Sequence, residues 1–285
     1  MLNKKQIKTG SFLLLFFIIV LRSNGGINPL TPNDSAFYND SILLSVTGKS
    51  SLSIPEVPLH QSMEKFVQDY AEDNTELFEK IKLNKSGYLK TIDKIFTQYE
   101  IPLELKYLAI IESKLKTNAV SGCGAMGVWQ FMPGTAKTFG LKITAKYDER
   151  QHIWKSSVAA AKYLTMLHGY FEDWLLVVAA YNSGPAPVLN AIKKSGSRNF
   201  WKLQYFLPKE TRLHVKRFIA THYYFEGGGS LVTLGKAEAE KYLKQLEEFN
   251  TKNNPNDEPI DTNTAFSQWV AIVSHEKNLQ LILKK

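Results

Sequence analysis

Apolar residues recur with helical period through the middle of this chain, and no convincing run of strand-like alternation interrupts them. Met63, Phe66, Val67 and Tyr70 are spaced to share one face of a helix that begins after Pro58. A second apolar helix is predicted over about Tyr88–Tyr99. A third is predicted to start at Pro102, since proline suits a first helical turn. Ser156 and Ser157 are plausible N-caps for a helix whose buried face is Ala160, Tyr163, Leu164, Leu167 and Phe171. The run Trp174-Leu175-Leu176-Val177-Val178-Ala179-Ala180 is apolar on every side, so that helix belongs at the centre of the domain. It should stop at Asn182-Ser183-Gly184-Pro185. Pro208 opens a further helix with Val215, Phe218, Ile219 and His222 on one face, closed by Gly227-Gly228-Gly229. The expectation is an all-α domain over residues 55–230.

The flanks differ in character. Residues 26–54 are rich in Asn, Ser, Pro and Gly without a period and are expected to be a flexible lead-in. Residues 231–285 predict a helical tail: Ala239, Tyr242, Leu243 and Leu246 make one more apolar face, an Asn/Asp/Pro linker follows at 250–263, and an apolar segment runs from about Trp269 to Leu283. The Lys/Glu run at 236–248 is expected to be a solvated helix face.

Charge changes the picture only at the N-terminus. The net formal charge is +8 over 285 residues, but Lys4, Lys5, Lys8 and Arg22 supply half of it in a leader without acids. The remaining excess is mild, and it forms no basic stripe of the kind nucleic-acid binders show. The leader, residues 1–25, carries its three lysines ahead of the run Phe12–Leu21 and ends in small residues, the pattern of a secretory signal peptide. The run is about half the ~20 residues that span a bilayer. Export is therefore the expectation, to the periplasm or cell envelope, with a leader retained as a membrane anchor as the alternative. The one cysteine, Cys123, is far from the leader, so no lipid anchor is expected there, and it leaves no internal disulfide.

The chemistry concentrates after Pro102. Glu112 lies on the helix face of Leu105 and Leu108, and a carboxylate on an apolar face must be paired, neutralised or used. Burial raises its pKa, which suits a general acid near neutral pH. The turn-rich loop Ser121-Gly122-Cys123-Gly124-Ala125-Met126-Gly127 can bring backbone groups close to a ligand. It leads into Val128-Trp129-Gln130-Phe131-Met132-Pro133, where two flat apolar rings flank an amide that both donates and accepts. These residues together describe a ligand-binding loop beside a candidate acid.

Three ordered motifs carry a resemblance. Glu112-Ser113, then Ser121 through Thr135, then Ala179-Ala180-Tyr181-Asn182-Ser183-Gly184-Pro185 are similar to the lytic transglycosylase family, glycoside hydrolase family 23. The form Trp-Gln-Phe-Met-Pro is most similar to its membrane-bound D-type subgroup. Tyr147-Asp148-Glu149-Arg150 and Leu207-Pro208-Lys209-Glu210-Thr211 fit that subgroup too. The resemblance covers about residues 55–226, with the catalytic motifs at 100–195. It implies a lysozyme-like lytic transglycosylase domain with a helical N-terminal extension, acting on peptidoglycan glycan strands without metal or cofactor. It places Glu112 at the catalytic position, Ser121, Gln130 and Met126 along the sugar groove, and Tyr181 with Asn182 opposite the glutamate. His152, and His214-Val215-Lys216 in place of a common Tyr-Val-Pro, depart from the pattern. A goose-type lysozyme-like hydrolase and a non-catalytic peptidoglycan-binding protein are the rival expectations; the first would need a second carboxylate, for which Asp148, Glu149, Glu172 and Asp173 are the acids considered.

Other residues read more plainly. Cys123 has no flanking cation to activate it. His168, His214 and His222 lack metal-ligand spacing, and His222 is expected to be a hydrogen-bonded core residue. Trp154, Trp174 and Trp201 are expected in the core, while Trp129 is balanced between core and sugar platform.

Overall fold

The computed structural model describes residues 55–253, all within one compact unit. The leader, the lead-in at 26–54 and the apolar segment from Trp269 to Leu283 lie outside the described residues.

Helix α1 (Glu64–Asn84) turns its apolar face inward: Phe78 and Ile81 are buried, and Phe66, Val67 and Tyr70 pack against the core. Helix α2 (Ser86–Gln98) follows after Lys85 and ends close to its expected boundary. Pro102 does not start an α-helix. It caps a 3₁₀ turn, Leu103–Lys106, and only then does α3 (Tyr107–Ser113) begin. Two left-handed residues, Lys114 and Leu115, end α3 sharply. A loop then carries the chain to α4 (Pro133–Thr138), with Pro133 at its first turn.

Helix α5 (Ile153–Phe171) corrects the capping expectation. His152 is its N-cap, and its ring accepts from the Lys155 amide. Ser156 and Ser157 lie inside the helix and are buried, with Ser156 Oγ donating back to the His152 carbonyl. Serine caps by exposing its hydroxyl to free amides; here both hydroxyls are needed inside the fold.

Helix α6 (Trp174–Ser183) is the central element: Trp174 through Ala180 are all buried, and α5, α7 (Pro185–Ser195) and α9 (Lys209–Glu226) pack around it. Gly184 ends it with φ 81° and Pro185 opens α7 directly. Helix α8 (Phe200–Leu203) is a single turn. The predicted face of α9, Val215, Phe218, Ile219 and His222, is buried, and α3 packs against this helix. Helix α10 (Lys236–Asn253) joins the same unit; Leu231, Leu234, Ala239, Tyr242 and Leu243 form a second small core with Val57. Its run of charged residues is not all solvated: Glu238 accepts from the Trp201 indole and the Gly235 amide. Trp174 and Trp201 are buried as expected. Trp154 is not; it lies at the surface beneath the Lys94 ammonium.

Among the described residues there is no β-strand, only isolated bridges in two loops. Nor, among them, is any helix long and apolar enough to cross a membrane.

Candidate active site

Glu112 stands in the last turn of α3, with 16% of its side chain exposed. Its carboxyl pKa is pushed up to about 8, first by burial and then by the negative charge of Glu210. The C-terminal end of a helix, which disfavours anions, acts in the same direction. At neutral pH the group therefore holds its proton while still opening to solvent. Leu105 and Leu108, the apolar neighbours expected from the sequence, are fully buried.

Ser113, the next residue, ties this helix end to the following loop: its hydroxyl donates to the Val128 carbonyl at 2.8 Å. Within the loop, Met126 forms antiparallel bridges with Val120 and Phe131, and the Ser121 hydroxyl accepts from the Ala125 amide at 2.9 Å. Gly127 is required by sterics as well as by its φ of 83°, because a Cβ there would collide with the Arg150 carbonyl. Arg150 is the staple of the loop. Its guanidinium donates to the carbonyls of Gly124 (2.8 Å) and Phe131 (2.9 Å), while Asp148 holds its other edge in a two-pronged ion pair. Asp148 and Arg150 are near neighbours in the chain, but the two carbonyls that Arg150 reaches are set by tertiary packing.

The loop presents fewer groups outward than its composition promised. Trp129 is fully buried and donates its indole N–H to Ser157 Oγ at 2.9 Å, and Phe131 is buried beside Tyr163 and Tyr181. Both rings are core, not sugar platforms. Gln130 has φ 48°, and its amide nitrogen donates to the Ala119 and Gly127 carbonyls. Met126 sulfur lies 3.1 Å from the Gln151 amide nitrogen. Cys123 is exposed.

From α6, Tyr181 donates its hydroxyl to the Trp129 carbonyl at 2.8 Å, which locks the phenol against the loop. Burial, and after it the nearby Glu112, hold its pKa well above the ordinary tyrosine value. Asn182 is exposed, and its side-chain oxygen accepts from Thr211 Oγ at 2.9 Å. The third wall is α9. His214 Nε2 lies 3.5 Å from Glu112 Oε1, and burial, with Arg217 second, pulls its pKa down to about 3. Between those values the contact joins a neutral acid to a neutral imidazole. Glu210 opens this helix, exposed and paired to Arg217 at 2.6 Å.

The structure thus brings Glu112, Tyr181 and the loop from Ser121 to Phe131 together, and adds His214 and Glu210, which the motifs did not single out as site residues. The fit of Glu210 within the Pro-Lys-Glu-Thr segment was the available signal. The four acids weighed as second carboxylates are all engaged elsewhere. Asp148 holds Arg150, Glu149 pairs with Lys155, Glu172 pairs with Lys236, and Asp173 caps helices. Among the described residues no cluster of His, Cys, Asp or Glu could hold a metal ion.

Residues 90–204 match the transglycosylase SLT domain family. Over 169 residues it is 36% identical to the membrane-bound lytic murein transglycosylase D of Escherichia coli strain K12, spanning 58% of this chain and 37% of that relative's length. Over 113 residues it is 34% identical to the peptidoglycan transglycosylase gp16 of Escherichia phage T7, covering 38% of this chain and 8% of that one. A superposition with the 70 kDa soluble lytic transglycosylase of Escherichia coli gives a TM-score of 0.46 at 24% identity, over 61% of this chain and 32% of that structure. The matched segment begins within α2 and ends just past α8, and so contains Glu112, the stapled loop and Tyr181. Its described residues are helical without strands, the all-α class expected from the motifs. The α9 wall, with Glu210 and His214, lies beyond the matched residues.

Proposed function

We propose that this protein is a lytic transglycosylase that breaks the bond between N-acetylmuramic acid and N-acetylglucosamine in peptidoglycan without water. The observation that carries this reading is the Glu112 carboxyl, which keeps its proton up to about pH 8 at the edge of a half-open site. Glu112 would give that proton to the glycosidic oxygen as the bond to C1 opens through an oxocarbenium-like state. The resulting carboxylate would take a proton from the muramic acid 6-hydroxyl, whose oxygen closes onto C1. Acid and base are then one residue, returned to its starting form at the end of the cycle, and the tethered hydroxyl has a high effective concentration. Ser121, Met126, Gln130, Tyr181 and Asn182 would line the glycan strand. Tyr181 keeps its proton throughout, so its role is to orient.

Digestion of purified sacculi and weighing of the muropeptides tests the class. Anhydro ends should appear from the earliest times, each lighter by one water, about 18 Da, than a reducing end. A hydrolase has one observation in its favour: Glu210 is a second carboxylate close enough to raise the Glu112 pKa. Chiefly hydrated ends, lost on Glu210→Gln, would establish that reading instead.

An envelope location accords with the basic-then-apolar leader and with the likeness to the membrane-bound transglycosylase of Escherichia coli. We expect cleavage near Gly25. N-terminal sequencing of envelope-purified protein checks this, and an intact Met1 would count against it.

A further inference from the structure

His214 is a buried polar side chain at the site whose placement the proposed chemistry has not used. It is 4% exposed, and among the described residues its Nε2 has no hydrogen-bond partner, although Glu112 Oε1 lies only 3.5 Å away. A buried ring nitrogen is ordinarily satisfied, so one left open against a reacting carboxyl needs a reason. The groups facing this pair are few. Glu112 comes from α3 and Tyr181, with its hydroxyl turned to the Trp129 carbonyl, from α6. Glu210 and Arg217 come from α9 itself, bound to each other, and Tyr70 on α1 faces Arg217. With Arg217 alongside and water excluded, the imidazole stays uncharged, so it cannot act as a counter-ion that would discharge the acid. A neutral imidazole with its proton on Nε2 is still a donor. Towards a protonated carboxyl it has little to gain. Towards a carboxylate it gains a charge-assisted bond, which forms at about 2.7–2.9 Å and needs only a small closing movement from the present separation. Catalytic hydrogen bonds are often long in the unliganded enzyme and tighten in the reacting complex.

We propose that His214 is a positioning residue for Glu112, an uncharged imidazole that donates Nε2–H to the carboxylate formed when Glu112 gives up its proton. The bond holds the carboxylate in place for the second half of the cycle, in which it must take a proton from the 6-hydroxyl. The inference rests on the reading of Glu112 as acid and base.

The sign of the effect follows from which form the bond stabilises. A donor to the carboxylate lowers the Glu112 pKa, so its removal raises it further. The test compares wild type with His214→Phe, which keeps a ring and loses the donor, and with His214→Gln and His214→Tyr, which keep a donor. Two readouts are taken on the whole chain: NMR titration of the Glu112 carboxyl without substrate, and the pH profile of sacculus turnover. For His214→Phe the carboxyl should titrate about one unit higher. The basic limb of turnover should move up with it, and kcat should fall about tenfold or more with KM little changed, as for a lost hydrogen bond to a charged group. His214→Gln or His214→Tyr should restore the wild-type titration. If His214→Phe does not fold, His214→Met carries the same expectation. A folded donor-free variant in which Glu112 titrates as in wild type would overturn the proposal. So would a donor-bearing pair as impaired as His214→Phe. Wild-type turnover indifferent to Glu112→Gln would instead sink the acid–base reading, and the NMR arm would still report whether the imidazole meets the carboxylate.

Discussion

Glu112 shows how one side chain's surroundings decide its chemistry. Its folded pKa of about 8 stands well above the ordinary 4.5, so it is an acid across the neutral range. Turnover should fall as pH rises through about 8, because the proton donor is then lost. The same shift has a cost in stability. The native state holds a proton that the unfolded chain has released, so this contribution is fully present below about 4.5 and is lost as pH rises through about 8. Glu112→Gln should abolish turnover, by at least ~100-fold, while keeping the volume of the side chain. Its stability relative to wild type should also climb between these two values, by up to about 1.4 kcal/mol per pH unit, and then level off. Thermal melts of both proteins from pH 5 to 9 check this; parallel curves would mean that Glu112 titrates normally. Asp173 titrates in both proteins and cancels in the difference. At this scale the sequence exposed the acid through its apolar helix face, yet it could not expose Glu210 or His214. Both belong to α9, far along the chain, and they meet Glu112 only because α3 packs on that helix.

Helices meet through their ends as well as their faces, and Asp173 is the clearest case. One carboxylate oxygen accepts from the Leu176 amide in the first turn of α6, and the other accepts from the Lys236 amide at the start of α10. Burial lifts the Asp173 pKa to about 6 despite these bonds. Asparagine has a single acceptor oxygen and would turn an N–H₂ group towards one of the two helices. Asp173→Asn should therefore lose about 1–2 kcal/mol, the usual range for a lost N-cap. Urea unfolding measures it, and an unchanged midpoint would show that one of the two caps contributes nothing. The capping role at α6 was legible in the sequence, since an aspartate stands just before an all-apolar helix. The second helix was not, because nothing local marks Asp173 as its cap. The misplaced caps of α5 have the same origin. Ser156 and Ser157 look like capping residues in any local window, but Trp129 comes in from the loop and takes the Ser157 hydroxyl.

Across the whole molecule, the segment after Gly229 closes onto the rest of the fold. Helix α10 offers Glu238 to the Trp201 indole, its first amide to Asp173 and the Tyr242 hydroxyl to the Pro55 carbonyl, over a small core of its own. Removing residues 231–285 should cost on the order of 5 kcal/mol, from several hydrogen bonds and a handful of buried apolar side chains. A truncated chain that melts with the full-length protein would show that α10 contributes nothing to stability. The sequence by itself determined the helices with a strong apolar period, the central position of α6 and the apolar helix face on which Glu112 stands, because periodicity and composition are written within a few turns of one element. Only the tertiary structure decided that Trp129 and Phe131 point into the core, that Arg150 staples the glycine loop, and that His214 and Glu210 face Glu112. Each of those outcomes depends on which helix packs against which, and burial and pairing across such contacts leave no local mark in the chain.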